Sequence, residues 1–223
     1  MAAVRWALEP VQAADRLRVL DLGAGTGKLT GVLCSEGHRV TAVEPDEAML
    51  SELVRLHGGV RALPGTAERV PLPDGTMDAV VVGQAFHWFD QERALTEIAR
   101  VLKPGGVVAA LWNADDVDVE WVAGFGEVSL SPLSAKDFDL AHPMPAHPLY
   151  TGSEQMAFPH SQRRTAESLV DTISTHSYML VAPDDERDEL VGKMLAYLKS
   201  RPETATGEFD LPMRTLVKRQ VRV

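Results

Sequence analysis

The sequence predicts an α/β fold of the doubly wound kind: a mostly parallel sheet, covered by helices and closed by antiparallel strands. Three observations predict it. Between residues 17 and 112, short apolar runs alternate with segments of helical periodicity. Those runs are continuously apolar rather than alternating, as strands buried on both faces must be. Near the end of the chain, "FDLPMRTLVKRQVRV" alternates at period two, which fits an antiparallel strand at the sheet edge.

Each element follows from its local pattern. "RLRVLDL" is the first strand, and the helix after it places Leu29, Val32 and Leu33 on one face. "RVTAVEP" is the second strand, and its helix stacks Met49 over Leu53 and Leu50 over Val54. "VRAL" at 60 to 63 is a weaker third strand, and "DAVVVGQ" is the fourth. Leu95, Ile98, Ala99 and Leu102 stand at helical spacing until "KPGG" at 103 to 106 stops that helix, and "GVVAALW" makes the fifth strand. Residues 113 to 165, rich in Pro, Ser, Asp and His, read as an insertion over the sheet, with a short helix over "VEWVAGFGEV". Two helices are predicted over 165–176 and 184–200. The second opens on "PDDE" and lines up Leu190, Val191, Met194, Leu195 and Leu198. "EQMAFPH" is the expected partner of the closing strand.

With 223 residues, 45% of them hydrophobic and 24% charged, the chain can bury a full core as a single domain over 1–223. A net charge of −10 repels a long anionic polymer, so neither nucleic acid nor an anionic membrane surface is an expected partner, and a small-molecule substrate is. Cys34 is the only cysteine, which excludes an internal disulfide and makes a reducing, cytoplasmic compartment the simplest one. "MAAVRWALEPVQAAD" has no long apolar core behind a basic start, and no run reaches the ~18 apolar residues of a membrane helix.

The glycine-rich stretch "VLDLGAGTGKLT", residues 19 to 30, raises the question of its ligand. A nucleotide phosphate loop needs a glycine five positions before Gly27 and a hydroxyl residue after Lys28, but Leu22 and Leu29 stand there. A dinucleotide fingerprint needs its third glycine at position 28, which is lysine. What remains is Asp-x-Gly-x-Gly-x-Gly from Asp21 to Gly27, after a buried strand and before a helix. An acid then closes the second strand at Glu44, 44 − 21 = 23 positions beyond Asp21. Two readings of Glu44 stay open: it accepts hydrogen bonds from ribose hydroxyls, or it caps the helix beginning near Asp46, for which Asp46 itself is the better cap.

"VLDLGAGTG", "VEPDEAML", "GTAERVPLPDGTMDAVVVGQAFHW" and "ARVLKPGGVVAALWN" resemble, in order and over about half the chain, the motifs of class I S-adenosylmethionine-dependent methyltransferases of the type 11 group. The nearest flavour is that of small-molecule enzymes such as the trans-aconitate methyltransferases. The resemblance implies a seven-stranded sheet in the order 3-2-1-4-5-7-6 with an antiparallel last strand. Residues 17–112 would be the cofactor-binding half and 113–223 the acceptor-binding half. It implies S-adenosylmethionine as cofactor, with Asp21, Gly23, Ala24 and Gly25 along its methionine part, Glu44 on the ribose, and Pro45 and Met49 near the adenine. Ala67 and Glu68 would meet the adenine edge, and Gln84, Ala85 and Phe86 would back the sulfonium side. Relatives often carry aspartate where this chain has Thr66. They also have a longer segment before the first strand, so an N-terminal lid is expected to be truncated or missing here.

Methyl transfer from a sulfonium is an in-line displacement with an activated leaving group, so positioning and water exclusion are the main demands on the protein. His87 is the one candidate base, against a purely orienting role, and a carboxylate acceptor needs no base. The histidines at 38, 57, 142, 147, 160 and 176 are scattered without ligand spacing, so no metal is expected, and "HPMPAHP" reads as a surface loop. Trp112, Asn113, Trp121, Phe125, Tyr150, His160 and Tyr178 are candidate acceptor-lining groups, with core packing the alternative for the aromatics, and Arg163 and Arg164 are candidate cations for a carboxylate acceptor. An O-methyl acceptor is favoured by the resemblance alone. The rivals are a nicotinamide-dependent oxidoreductase and a non-catalytic module that binds the cofactor as a scaffold.

Overall fold

Seven strands form one sheet in the order β3-β2-β1-β4-β5-β7-β6 in a computed structural model that describes residues 1–11, 16–129 and 144–223. The strands are β1 (Arg18–Leu22), β2 (Arg39–Glu44), β3 (Arg61–Pro64), β4 (Met77–Gly83), β5 (Leu102–Asp115), β6 (Glu154–Arg164) and β7 (Phe209–Val221). The first five are parallel, with Arg18 opposite Arg39, Thr41 opposite Arg61 and Val19 opposite Ala79. β7 runs antiparallel to β5: the Gly105 N–H donates to the Arg222 carbonyl near one end, and Thr215 bonds Asn113 near the other. β6 is antiparallel to β7 in turn, with Thr151 beside Val221 and Arg163 beside Asp210. The expected order and its antiparallel closure are therefore present.

Described helices are α1 (Ala2–Leu8), α2 (Lys28–Ser35), α3 (Glu47–Leu56), α4 (Gln91–Val101), α5 (Glu120–Ser129), α6 (Ala166–Ser174), α7 (Ser177–Val181) and α8 (Asp184–Lys199). Asp46 caps α3 by accepting from the Met49 N–H, Asp90 caps α4, and Thr165 closes a reciprocal capping box with Ser168 on α6.

Contacts divide the chain into two compact units: Met1–Asn113, His142–Phe158 and Thr215–Val223 in the first, Ala114–Ala141 and Pro159–Arg214 in the second. Within 113–223, Asn113, His142–Phe158 and Thr215–Val223 thus belong to the first unit. The first unit's core gathers Val19, Leu33, Ala79, Val81, Val107, Ala109 and Val217 with Leu8 and Leu17. In the second, Met194 and Leu198 of α8 are buried with Trp121, Phe125 and Leu169, and Leu190, Val191 and Leu195 pack around them, as their shared face predicts.

Four local expectations need correction. Leu102 is extended and opens β5, and "KPGG" lies inside that strand, because the helix already ends at Val101. The start of the chain, for which no element was predicted, forms α1, held by burial of Ala3, Val4, Ala7 and Leu8. α7 interrupts the stretch between the two predicted C-terminal helices. In β7 the alternation fails at Val217, Lys218, Arg219 and Gln220, all buried. The physical reason is cover on both faces: Arg219 stacks on the Trp6 ring at 3.9 Å and pairs with Glu154 at 2.7 Å, while Lys218 lies over Trp112 at 5.3 Å.

Candidate functional site

The site is built where β1 and β4 end, at the point where the strand order reverses. Beyond Leu22 the chain turns through Gly23 (φ 68°) and Gly25 (φ 55°) and enters α2 at Lys28. The Gly23 and Ala24 N–H groups both donate to the Val43 carbonyl, at 2.9 and 3.2 Å, which ties the loop to the end of β2. At Gly23 a Cβ would come within 2.8 Å of the Ala85 Cβ, so neither the backbone angle nor the space admits a side chain. At Gly25 a Cβ would meet nothing nearer than the Met49 sulfur at 4.0 Å, because it would point into an open crevice.

That crevice, about 530 Å³, is bordered by Asp21, Gly23, Ala24, Gly25, Thr26 and Lys28 around the loop, by Met49 of α3, and by Gly83, Gln84, Leu111, Asn113 and Thr215 at and beside the neighbouring strands. Ala3 and Val4 of α1 border it too, with Met1 just before that helix. Asp21 is fully buried; Thr30 donates its hydroxyl to Asp21 Oδ2 at 2.5 Å, and Asp21 Oδ1 has no hydrogen-bond partner among the described residues. Burial pushes its carboxyl up to about 7, helped by the charge of Glu44 and opposed by Thr30. A buried carboxylate with one oxygen unmatched at a crevice wall suits a cationic ligand, which would supply the missing partner and draw the group into its charged form.

Glu44 is buried at 6% exposure and stands behind the loop. Its Oε2 accepts from the Gly25 N–H at 2.9 Å and its Oε1 from the Asp46 N–H at 3.0 Å. It therefore braces the glycine loop, and each oxygen keeps a lone pair for a further donor. Gln84 is the one non-glycine residue with positive φ among the described residues, at 59°. Its N–H donates to the Leu111 carbonyl at 2.9 Å and its side chain to the Asn113 carbonyl at 3.3 Å, which hold the strained backbone in place.

Of the residues expected at the site, Asp21, Gly23, Ala24, Gly25, Met49 and Gln84 border the crevice together. Ala85 reaches it only as the wall against Gly23. Pro45 is exposed and Ala67 buried, neither of them on the crevice wall, and Glu68 accepts from the Asp90 N–H at 3.0 Å. Phe86 is packed edge-on against Trp112 and Phe89 instead of facing the crevice. His87 stands beside Trp88, ring centroids 4.8 Å apart, off the crevice wall, and burial lowers its pKa so that the ring is neutral at physiological pH.

Among the expected acceptor-lining groups only Asn113 borders the crevice, where its Oδ1 accepts from Thr215 at 2.7 Å. Trp112 and Tyr150 are buried, the latter donating to the Leu95 carbonyl. In the second unit Trp121 and Phe125 are core and Tyr178 donates to the Ser129 carbonyl, while His160 is exposed. Arg163 is taken up by Glu208 and Asp210 at 3.3 Å each, and Arg164 donates to Gln162. In "HPMPAHP", His142 and Pro143 lie outside the described residues, and the rest contains no helix or strand. Among the described residues no three His, Cys, Asp or Glu side chains come together as a metal site, and no helix is long and apolar enough to cross a membrane.

Thr30, Lys28, Thr215 and His57 escaped the sequence reading. Thr30 could have been found, since helical spacing from the loop turns it back toward Asp21. His57 could not: its ring lies 2.7 Å from where a Cβ on Gly27 would stand, a contact made across 30 positions (57 − 27).

Comparison with known proteins bears on this geometry. A family model described as a methyltransferase domain matches residues 20–110. An uncharacterized methyltransferase of Mycobacterium tuberculosis is 37% identical, over 97% of this chain and 86% of its own length. An uncharacterized methyltransferase of Schizosaccharomyces pombe is 30% identical over 95% of this chain and 86% of its own. A malonyl-[acyl-carrier protein] O-methyltransferase of Pectobacterium atrosepticum is 38% identical over 46% of this chain and 41% of its own. Among solved structures, a candidate type II methyltransferase from Anaeromyxobacter dehalogenans has a TM-score of 0.73 at 24% identity, covering 99% of this chain and 95% of its own, and so shares the fold.

Proposed function

The chain belongs to the class I S-adenosylmethionine-dependent methyltransferases, and from that premise we propose that it methylates an oxygen of a small soluble molecule, with a carboxylate as the acceptor group. The observation that carries the donor side is the unmatched Oδ1 of buried Asp21 on the crevice wall. S-adenosylmethionine, when bound, supplies a methyl group on a positively charged sulfur.

Each protein group then has a positioning task. Asp21 offers its free carboxylate oxygen to the cationic end, and Gly23, Ala24 and Gly25 let the backbone approach because no side chain intervenes there. Glu44 holds the loop through two backbone N–H groups and keeps lone pairs for ribose hydroxyls. Met49 and Pro45 would flank the adenine, and Ala67 and Glu68 would meet its edge, Glu68 being held in place by the Asp90 N–H. Gln84, Ala85 and Phe86 back the sulfonium side, with Phe86 acting from below through packing.

Three features support the acceptor class. The malonyl-[acyl-carrier protein] O-methyltransferase likeness concerns an enzyme named for a malonyl group carried on a protein, and the free end of such a group is a carboxylate. In addition, His87 stands off the crevice wall, and a carboxylate oxygen is already a nucleophile that needs no base. Lys28 on the wall supplies a cation to attract such a group in a protein of net charge −10. The test is methyl transfer from radiolabelled S-adenosylmethionine across a library of small carboxylic acids, alcohols, phenols and amines. Base-labile label, the mark of a methyl ester, is the expected product; label that resists base would overturn the carboxylate assignment. His87→Ala is expected to keep its turnover of such an acid; a loss of 10²-fold or more would identify His87 as a base and a hydroxyl as the acceptor.

A further inference from the structure

The opposite end of the same strands carries a second feature that methyl transfer leaves unused. β1, β2 and β3 each begin with an arginine: Arg18, Arg39 and Arg61. Register puts them on one face. Arg18 is opposite Arg39, Arg61 is opposite Thr41, and Arg39 and Thr41 are two residues apart on one strand, so all four side chains leave the sheet on the same side. They border a cavity of about 280 Å³ whose walls are completed by Val40, Leu72, Pro73, Thr76 and Met77.

The balance of charge at this cavity is one-sided. No carboxylate borders it among the described residues, and Arg39 and Arg61 have no acidic partner there. Asp78 lies beside the row, but it accepts from the Arg18 backbone N–H at 2.7 Å and from Lys103 at 2.5 Å, so a single negative charge is shared with a further cation. Three exposed guanidinium groups around one cavity attract an anion, and they stand out in a chain of net charge −10. A second, independent observation points the same way. Thr41, only 8% exposed, lines this cavity and offers it a hydroxyl, while the nearby Thr76 hydroxyl is used up on the Pro73 carbonyl.

We propose that this cavity binds a small diphosphate-bearing anion, held by the guanidinium groups of Arg18, Arg39 and Arg61 and by the Thr41 hydroxyl. Arginine suits phosphate oxygens because its planar fork donates two parallel hydrogen bonds. Span favours two linked phosphoryl groups over one: two strand spacings and a two-residue register step set the Arg18 and Arg61 backbones about 12 Å apart, so a longer anion engages both guanidinium groups with less bending of the side chains.

The test is calorimetric titration of the full chain with pyrophosphate, inorganic phosphate and ADP at low salt without magnesium. It is run both free and saturated with S-adenosylhomocysteine, which fills the glycine-loop crevice. One saturable pyrophosphate site is expected, indifferent to S-adenosylhomocysteine, tighter than for phosphate and weakening as salt is added. Arg39→Ala/Arg61→Ala should weaken it at least tenfold and Thr41→Val severalfold, with S-adenosylhomocysteine affinity unchanged as the check on folding. ADP binding as tightly as pyrophosphate would identify a diphosphate carried on a nucleoside, and its exclusion a free one; either result sustains the site. Absent saturable binding, displacement by S-adenosylhomocysteine, phosphate as tight as pyrophosphate, or unaltered affinity in Thr41→Val and the arginine variants would each overturn it.

Discussion

The two ends of β1 and β2 are chemically opposite although only a few residues separate them. At the amino end Arg18 and Arg39 stand exposed, while at the carboxyl end Asp21 and Glu44 are buried beneath a glycine loop. The carboxyl end spends backbone strain and carboxylate burial to build a concave site: positive φ at Gln84, beside a bend at Gly23 that only glycine takes freely, and a carboxyl pushed up to about 7 at Asp21. The amino end is unstrained and keeps its charges in water. The comparison teaches that a parallel sheet offers two ligand-accessible edges, and that side-chain burial decides what each can hold. Buried acid with an unmatched oxygen selects a cation, whereas clustered guanidinium groups select an anion.

The comparison can be broken most forcefully at Gly23. Gly23→Val forces a β-branched residue into a left-handed backbone and against Ala85, and the expected cost is on the order of 3 kcal/mol or more in denaturant unfolding, together with loss of S-adenosylhomocysteine binding. Next comes Asp21. Its carboxyl is raised in the folded chain above the ordinary value of 3.8, so the folded state holds the proton more tightly than the unfolded state between about pH 4 and 7. Stability from this group is therefore present at low pH and lost as pH rises through about 7. Asp21→Asn is expected to remove about 2–3 kcal/mol of the difference in stability between pH 5 and pH 8, read by urea unfolding of both proteins without ligand; identical pH slopes would place Asp21 in water.

Glu44→Gln replaces one acceptor oxygen by a donor facing a backbone N–H, and should weaken S-adenosylhomocysteine by about 1–2 kcal/mol in calorimetry. The smallest effect sharpens the contrast between ends: Arg39→Ala should leave that affinity unchanged within about twofold, since the substitution shares no partner with the loop. A larger change would show that the two ends are coupled through β2.

Much of this was legible in the residues themselves. Continuous apolar runs located β1, β2, β4 and the middle of β5, because a strand covered on both faces has no polar side to reveal. The Asp-x-Gly-x-Gly-x-Gly pattern located the loop, and failure of the phosphate-loop spacing excluded a nucleotide cage. Less legible was how Glu44, Phe86 and His87 would be used. Glu44 turns out to brace the loop, and Phe86 and His87 to stand off the crevice, because those outcomes depend on neighbours distant in sequence such as Gly25 and Trp112. The burial of Lys218 and Arg219 was hidden for the same reason: alternation assumes one wet face, and α1 with its Trp6 covers it.

By itself the sequence determined the sheet's parallel half, the glycine bend after Asp21 and the family to which the chain belongs, since each is written in local spacing and in the backbone freedom of glycine. Only the tertiary structure decided which carboxylate oxygen lacks a partner, which candidate residues border the crevice, and that three arginines from separate strands meet over Thr41. Those are consequences of register and burial, which bring together groups that no local pattern relates.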